Sequence, residues 1–138
     1  MRARTLHEAW YRLPVFYFSN SLRIFGPEDE APFPSATDRL DYEMELGRVI
    51  GRDGSDIAAA DALDCIAGFC IFNDFSARDL QFDEMAVGLG PAKGKDAATS
   101  LGPWLVTTDE MAPCLRDGKL HVKCAVRVNG DVWLDRLY

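Results

Sequence analysis

The sequence lacks long apolar runs and paired-cysteine spacings, and it is poor in histidine and in basic residues. Without a segment of about 20 apolar residues there is no candidate membrane-spanning helix. The opening stretch MRARTLHEAWYRL is basic but has no apolar core of the kind a secretory signal needs. Cys65, Cys70, Cys114 and Cys124 lie mostly inside apolar runs, with no C-x-x-C spacing, and read as buried free thiols rather than as disulfides or a zinc site. A reducing, cytoplasmic location is therefore the default expectation. With 15 Lys and Arg against 22 Asp and Glu, the formal charge of −7 lacks the basic footprint that a phosphate backbone requires. Neither nucleic acid nor membrane is expected as a partner. Of the two histidines, His7 sits in the charged opening stretch and His121 on a polar strand face, and both read as surface residues. Ser76 has no evident base partner, which argues against a nucleophilic triad.

A chain of 138 residues, 48% hydrophobic, is long enough for one domain with a core. No repeat, linker or low-complexity segment divides it. Leu13–Phe18 is a short aromatic and β-branched run that predicts a strand. Residues 26–38 hold three prolines and several acids and predict a solvated loop. Leu40 to Ile50 alternates with a period of two: Leu40, Tyr42, Met44 and Leu46 face one way, Asp41, Glu43 and Glu45 the other. After the Asp53-Gly54 turn, Ser55 is placed to cap a short helix to Leu63. Cys65–Phe72 predicts a buried strand, and Ser76-Ala77-Arg78-Asp79 a capped helix running to about Met85. Residues 86–103 form a Gly/Pro-rich loop, the kind of long segment that compact domains keep for function. A strand resumes at Trp104–Thr107, and Leu120–Val128 alternates up to Asn129-Gly130, a strong hairpin signal. The expected class is mainly β with short helices. An abrupt start and a strand-like end at Trp133–Tyr138 lead us to expect an incomplete domain, since an unpartnered apolar edge is a liability.

Glu43 and Glu45 carry the most chemical information. On a strand, residues i and i+2 project from one face about 6.6 Å apart and can converge on one cation. On a helix they would diverge by about 200°. Taken alone, E-x-E on an amphipathic strand reads as a solvent-facing edge, but like charges this close repel unless something positive lies between them. Asp74, where the apolar strand ends and a helix begins, supplies a third carboxylate; a simple Asn73-Asp74 turn is the plainer alternative. Oxygen-only ligation suits Mg²⁺, Mn²⁺ or Ca²⁺ over zinc or copper, and favours substrates that chelate through two oxygens. Lys95, with Thr99 four residues on, could orient a substrate carboxylate or stabilise an oxyanion, or simply be a surface cation. Arg78 and Gln81 share a helix face and could bind an acidic substrate or pair with nearby acids.

Three blocks together resemble the fumarylacetoacetate hydrolase family: Leu40–Leu46 followed by Val49-Ile50-Gly51; Asn73–Gln81; and Gly94-Lys95 with Thr99, then Gly102–Thr107. The resemblance implies a mixed β-sandwich roll in which residues 1–12 are a remnant of a lid segment and 13–138 form the core of a single catalytic-domain fragment. It implies a homodimer in the full-length form, and Mg²⁺, Ca²⁺ or Mn²⁺ as cofactor. By position, Glu43, Glu45 and Asp74 match the metal carboxylates, Lys95 and Thr99 line the metal and substrate site, and Tyr17, Arg78 and Gln81 match substrate-facing positions. Lys95 is the residue assigned a catalytic role. The activity implied is metal-dependent hydrolysis of a carbon–carbon bond in a 1,3-diketo acid of the fumarylacetoacetate or acylpyruvate type. The alternatives are isomerisation or decarboxylation of related keto acids, as by 2-hydroxyhepta-2,4-diene-1,7-dioate isomerase or oxaloacetate decarboxylase, and a catalytically inactive metal-binding module. In hydrolytic members a histidine held by a glutamate activates water; the resemblance puts that pair upstream of Met1, and His7 does not match its surroundings.

Overall fold

The computed structural model describes residues 6–117 and 119–137. Among these, strands follow in the order β1 (Ile24–Phe25), β2 (Leu40–Asp41), β3 (Met44–Ile50), β4 (Ile66–Asp74), β5 (Ser76–Ala77), β6 (Thr99–Leu101), β7 (Val106–Thr107), β8 (Leu115–Arg116), β9 (Lys119–Leu120), β10 (Lys123–Val128) and β11 (Asp131–Leu137). Helix α1 spans Arg78–Val87 and the single turn α2 spans Thr108–Met111. The fold is mainly β with short helices, as expected. No helix among the described residues is long and apolar enough to cross a membrane.

The apolar run predicted as a buried strand becomes β4, the spine of the main sheet. It pairs antiparallel with β3 along one edge and with β6 and β7 along the other, while β1 adds to β6 in parallel. Gly68 lets β7 approach: a Cβ there would lie 2.6 Å from the Val106 carbonyl oxygen. The Asn129-Gly130 turn forms as read, with φ of 53° and 90°, which is what a two-residue hairpin between right-twisted strands needs. Along β10 exposure alternates as its sequence alternates, with Cys124, Val126 and Val128 turned inward. Tyr42 packs edge-on against Trp133 at 6.5 Å between ring centroids, joining this hairpin to the strands that carry the acidic pair.

Several expectations are corrected. Leu13–Phe18 forms no strand; Pro14 has no N–H to give a ladder, and a side-chain bond from Tyr17 ties this segment to Asp74. The stretch 40–50 is broken into β2 and β3 at Tyr42–Glu43. There side chains replace the ladder: Asp41 accepts the Tyr42 N–H, Asn73 accepts the Glu43 N–H, and Arg78 donates to the Tyr42 carbonyl. Ser55 caps no helix. Asp56 takes a left-handed φ of 51°, and a 3₁₀ helix begins only at Ala59 and runs to Cys65. Ser76 is not the cap of α1 either; it is fully buried in β5, and Ala77 precedes the helix. The 86–103 segment is not structureless, since it holds a 3₁₀ turn at Lys93–Lys95 and strand β6. Of the expected lid remnant, residues 1–5 lie outside the described residues, and Glu8–Tyr11 form one 3₁₀ turn.

Among the described residues, the largest fully buried side chains are polar. Asp74, Ser76, Lys95 and Thr99 are 1%, 0%, 2% and 3% exposed, as buried as Phe69 and Cys70 on β4. Burying such groups is unfavourable unless each finds a partner. Their partners define the site.

Candidate metal centre

Strand register brings the acidic residues together. Glu45 sits on β3 opposite Phe72, Met44 opposite Asn73, and the Asp74 N–H donates to the Glu43 carbonyl at 3.3 Å. On the other edge of β4, Asp74 is in register with Thr99 of β6. Glu43, Glu45 and Asp74 each present an oxygen such that all three lie within 4.8 Å of one another.

Lys95 lies beneath them. Its Nζ donates to Glu43 Oε2 at 2.7 Å, to Asp74 Oδ2 at 3.0 Å and to Ser76 Oγ at 2.6 Å. An ammonium has three protons and no lone pair, so Lys95 is fully satisfied here as a countercation and has nothing to offer a metal as a ligand. The Ser76 hydroxyl in turn donates a hydrogen bond to the Asp74 carbonyl at 2.9 Å. The Tyr17 hydroxyl donates to Asp74 Oδ2, and the Lys95 ammonium stands 5.8 Å from the centre of the Tyr17 ring. Burial and the adjacent Asp74 carboxylate push the Tyr17 hydroxyl well above the usual phenol range.

Arg78, on the first turn of α1, pairs with Glu43 through Nη1, with Asp41 through Nε at 2.9 Å and with Gln81 Oε1 at 3.0 Å. Its fork is spent on the acidic strand. Burial pushes Glu43 upward, but the bonds from Lys95 and Arg78 outweigh it and hold this carboxyl below the usual range. Glu45 goes the other way. Burial, then Glu43 and Asp74 beside it, raise its carboxyl, with Lys95 offsetting only part of the rise.

These observations fit a hard divalent cation. Asp74 Oδ1 is buried without a hydrogen-bond partner, an orphan that costs free energy unless something positive meets it. Burial first, and then the neighbouring Glu43 and Asp74 carboxylates, raise Glu45, and a cation between these groups would oppose the rise. The donors are all carboxylate oxygens, the set that Mg²⁺, Mn²⁺ and Ca²⁺ prefer. Glu43, Glu45 and Asp74 are the residues able to hold it.

The candidate site residues read from sequence fall in or beside this cluster: Glu43, Glu45, Asp74 and Lys95 at its centre, Thr99 buried in register with Asp74, and Tyr17, Arg78 and Gln81 around it. The sequence reading did not identify Ser76, Asn73 or Asp41 as partners. Ser76 carried a legible signal, standing two residues from Asp74 and therefore on the same face of an extended chain. The role of Asp41 depends on where α1 lands, which no local pattern records.

Comparison with known proteins agrees with this geometry. The family model described as fumarylacetoacetate (FAA) hydrolase C-terminal matches residues 2–136. A protein of Burkholderia cenocepacia, provisionally named a hydrolase, is 41% identical over 98 residues, 71% of this chain and 34% of its own length. The 2-hydroxyhepta-2,4-diene-1,7-dioate isomerase of Mycobacterium marinum superposes with a TM-score of 0.72 at 32% identity, over 90% of this chain and 45% of that one. The fumarylpyruvate hydrolase of Pseudomonas aeruginosa, solved in complex with Mn²⁺ and pyruvate, superposes at 0.65 with 25% identity, over 83% of this chain and 49% of its own. The chain thus spans a third to a half of the length of these relatives. From strand register to family model the observations agree: this chain belongs to the fumarylacetoacetate hydrolase family and corresponds to its C-terminal region.

Proposed function

We propose that this chain is the metal-holding core of an enzyme that acts on a keto acid able to chelate a divalent cation through two oxygens. Hydrolysis of a carbon–carbon bond in a 1,3-diketo acid is the preferred reaction. The observation that carries the reading is the buried, unpartnered Asp74 Oδ1 facing two further carboxylates. The relative solved with Mn²⁺ and pyruvate supports it, pyruvate being a small keto acid. The similarity to a 2-hydroxyhepta-2,4-diene-1,7-dioate isomerase supports a second reading, isomerisation of a related dicarboxylic acid.

Glu43, Glu45 and Asp74 would hold Mg²⁺ or Mn²⁺, which would supply Lewis-acid polarisation of the chelated oxygens. The chain's own side chains do the rest. Tyr17 and Lys95 both bind Asp74 Oδ2, which leaves Oδ1 as the free donor atom. Arg78 fixes the rotamer of Glu43. The positive potential of Lys95 at the base of the cluster favours negative charge developing on a substrate oxygen above it. These roles are binding, orientation and charge stabilisation; proton transfer to or from water belongs to groups outside this constellation.

Calorimetric titration of Mg²⁺ or Mn²⁺ with and without oxalate, which mimics two chelating oxygens, tests the reading on the 138-residue chain and on Asp74→Asn. Saturable binding abolished in the variant is expected. A folded parent that binds neither cation would overturn it. Turnover assays with acylpyruvates, oxaloacetate and hydroxymuconate-type acids on the full-length protein separate the reactions.

A further inference from the structure

The 3₁₀ turn that carries Lys95 has little to hold it in place. It is three residues long, Ala92 before it makes no side-chain cap, and its internal bonds are Lys95 N–H to Ala92 O at 3.1 Å and Asp96 N–H to Lys93 O at 3.4 Å. Turns this short do not orient themselves. Yet Lys95 is buried, with all three ammonium protons placed. Something outside the turn must aim it.

That group is Glu84. Helix α1 carries Arg78, Gln81 and Glu84 at intervals of three, so that each neighbours the next along the helix surface. At the start of this row Arg78 grips Glu43. Six residues on, the Glu84 carboxylate accepts the backbone N–H groups of Ala92, Lys93 and Gly94 at 3.1, 2.7 and 2.9 Å. Between them, Gly94 is pressed against the helix so closely that a Cβ on it would stand 2.9 Å from the Gln81 nitrogen. Three amide protons on one carboxylate are charge-assisted bonds, the stronger kind. One helix thus grips the segment bearing Glu43 at one end and the turn bearing Lys95 at the other.

We infer that Glu84 is a positioning residue for this site: by clamping residues 92–94 onto α1 it sets where the Lys95 ammonium stands between Glu43 and Asp74. Its effect on ligand binding rests on the reading of the site given above, whereas its effect on Lys95 does not.

The test follows Lys95 itself. In ¹⁵N-lysine NMR of the 138-residue chain, an ammonium bonded to three buried partners gives a slowly exchanging side-chain signal, assigned by its loss in Lys95→Ala. Glu84→Ala is expected to abolish slow exchange at Lys95 while the amide shifts of Val126 and Val128 in the hairpin stay unchanged. Glu84→Gln keeps one acceptor oxygen, so partial protection is expected. Parent-like exchange in Glu84→Ala, or in Glu84→Gln where the alanine variant does not fold, overturns the inference.

The second readout is Mn²⁺ binding followed by oxalate. Glu84→Ala is expected to weaken oxalate about tenfold, the scale of one charge-assisted bond, with Mn²⁺ affinity held or raised as the countercation moves away. Loss of Mn²⁺ and oxalate affinity together would mean that Glu84 merely stabilises the fold, against the inference. If Lys95 exchange depends on Glu84 but Lys95→Ala leaves oxalate binding intact, the positioning role stands and the functional reading of Lys95 fails.

Discussion

The Tyr17 hydroxyl donates its proton to Asp74 Oδ2 across 57 positions of sequence. It ties a segment without secondary structure to the most buried carboxylate in the site. Partners that orient a metal-binding carboxylate commonly contribute about 10- to 100-fold in metal affinity. Tyr17→Phe is therefore expected to weaken Mn²⁺ binding by at least about tenfold in calorimetric titration. An unchanged Mn²⁺ affinity with weakened oxalate binding would instead make Tyr17 a substrate contact.

Arg78 reaches Asp41, Glu43, Gln81 and the Tyr42 carbonyl from one planar fork. A lysine ammonium cannot span these acceptors. Arg78→Lys should lower stability by about 1–2 kcal/mol, a figure kept small because the group is partly exposed and solvent-screened. Urea denaturation checks this; a midpoint matching the parent would show the network to be energetically idle.

Gly94 is buried against Gln81, with 2.9 Å available where a Cβ would meet the Gln81 nitrogen and 3.0 Å to its Cα. Backbone atoms cannot swing aside as a side-chain tip can. Gly94→Ala is expected to cost about 1–3 kcal/mol, the range of overpacking. Gly26→Ala serves as the control, since the atom its Cβ would meet at 3.1 Å is the end of the Asp29 side chain. Equal melting temperatures for the two variants would contradict the close contact.

Acid should loosen the molecule at two identified points. The backbone N–H groups of Gly94 and Lys93 hold Glu84 below the usual carboxylate range, and the Thr37 hydroxyl does the same for Asp79. For a carboxyl lowered in the folded state, the stabilisation is fully present above the unfolded value of about 4, and is lost as pH falls through the folded value. Thermal melts between neutral pH and about pH 3 should thus show a shallower acid decline in Glu84→Gln than in the parent. A decline of identical slope would remove Glu84 from the acid response.

What the sequence by itself determined is the part of the molecule governed by period and local chemistry. Strand β4 was legible because the continuous apolar run Cys65–Phe72 suits a buried strand, and the hairpin because Asn129-Gly130 accepts a left-handed turn at little cost. The Glu43–Glu45 pair was legible because a period of two puts both on one face, and the three blocks of family resemblance supplied the remaining site positions. Only the tertiary structure decided what those residues do to one another. Ser76 reads locally as a helix cap, yet the approach of Lys95 from 19 positions away makes it an acceptor in a buried network. Arg78 and Gln81 read equally as groups for an acidic substrate or for nearby acids, and the landing of α1 beside Asp41 and Glu43 decides for the arginine, which pairs with those two carboxylates. Leu13–Phe18 has strand composition, but a strand needs a partner with free N–H and C=O groups, and the chain supplied a tyrosine-to-aspartate bond in its place. Local propensity is written residue by residue, whereas a partner for a buried charge is found only when distant elements meet.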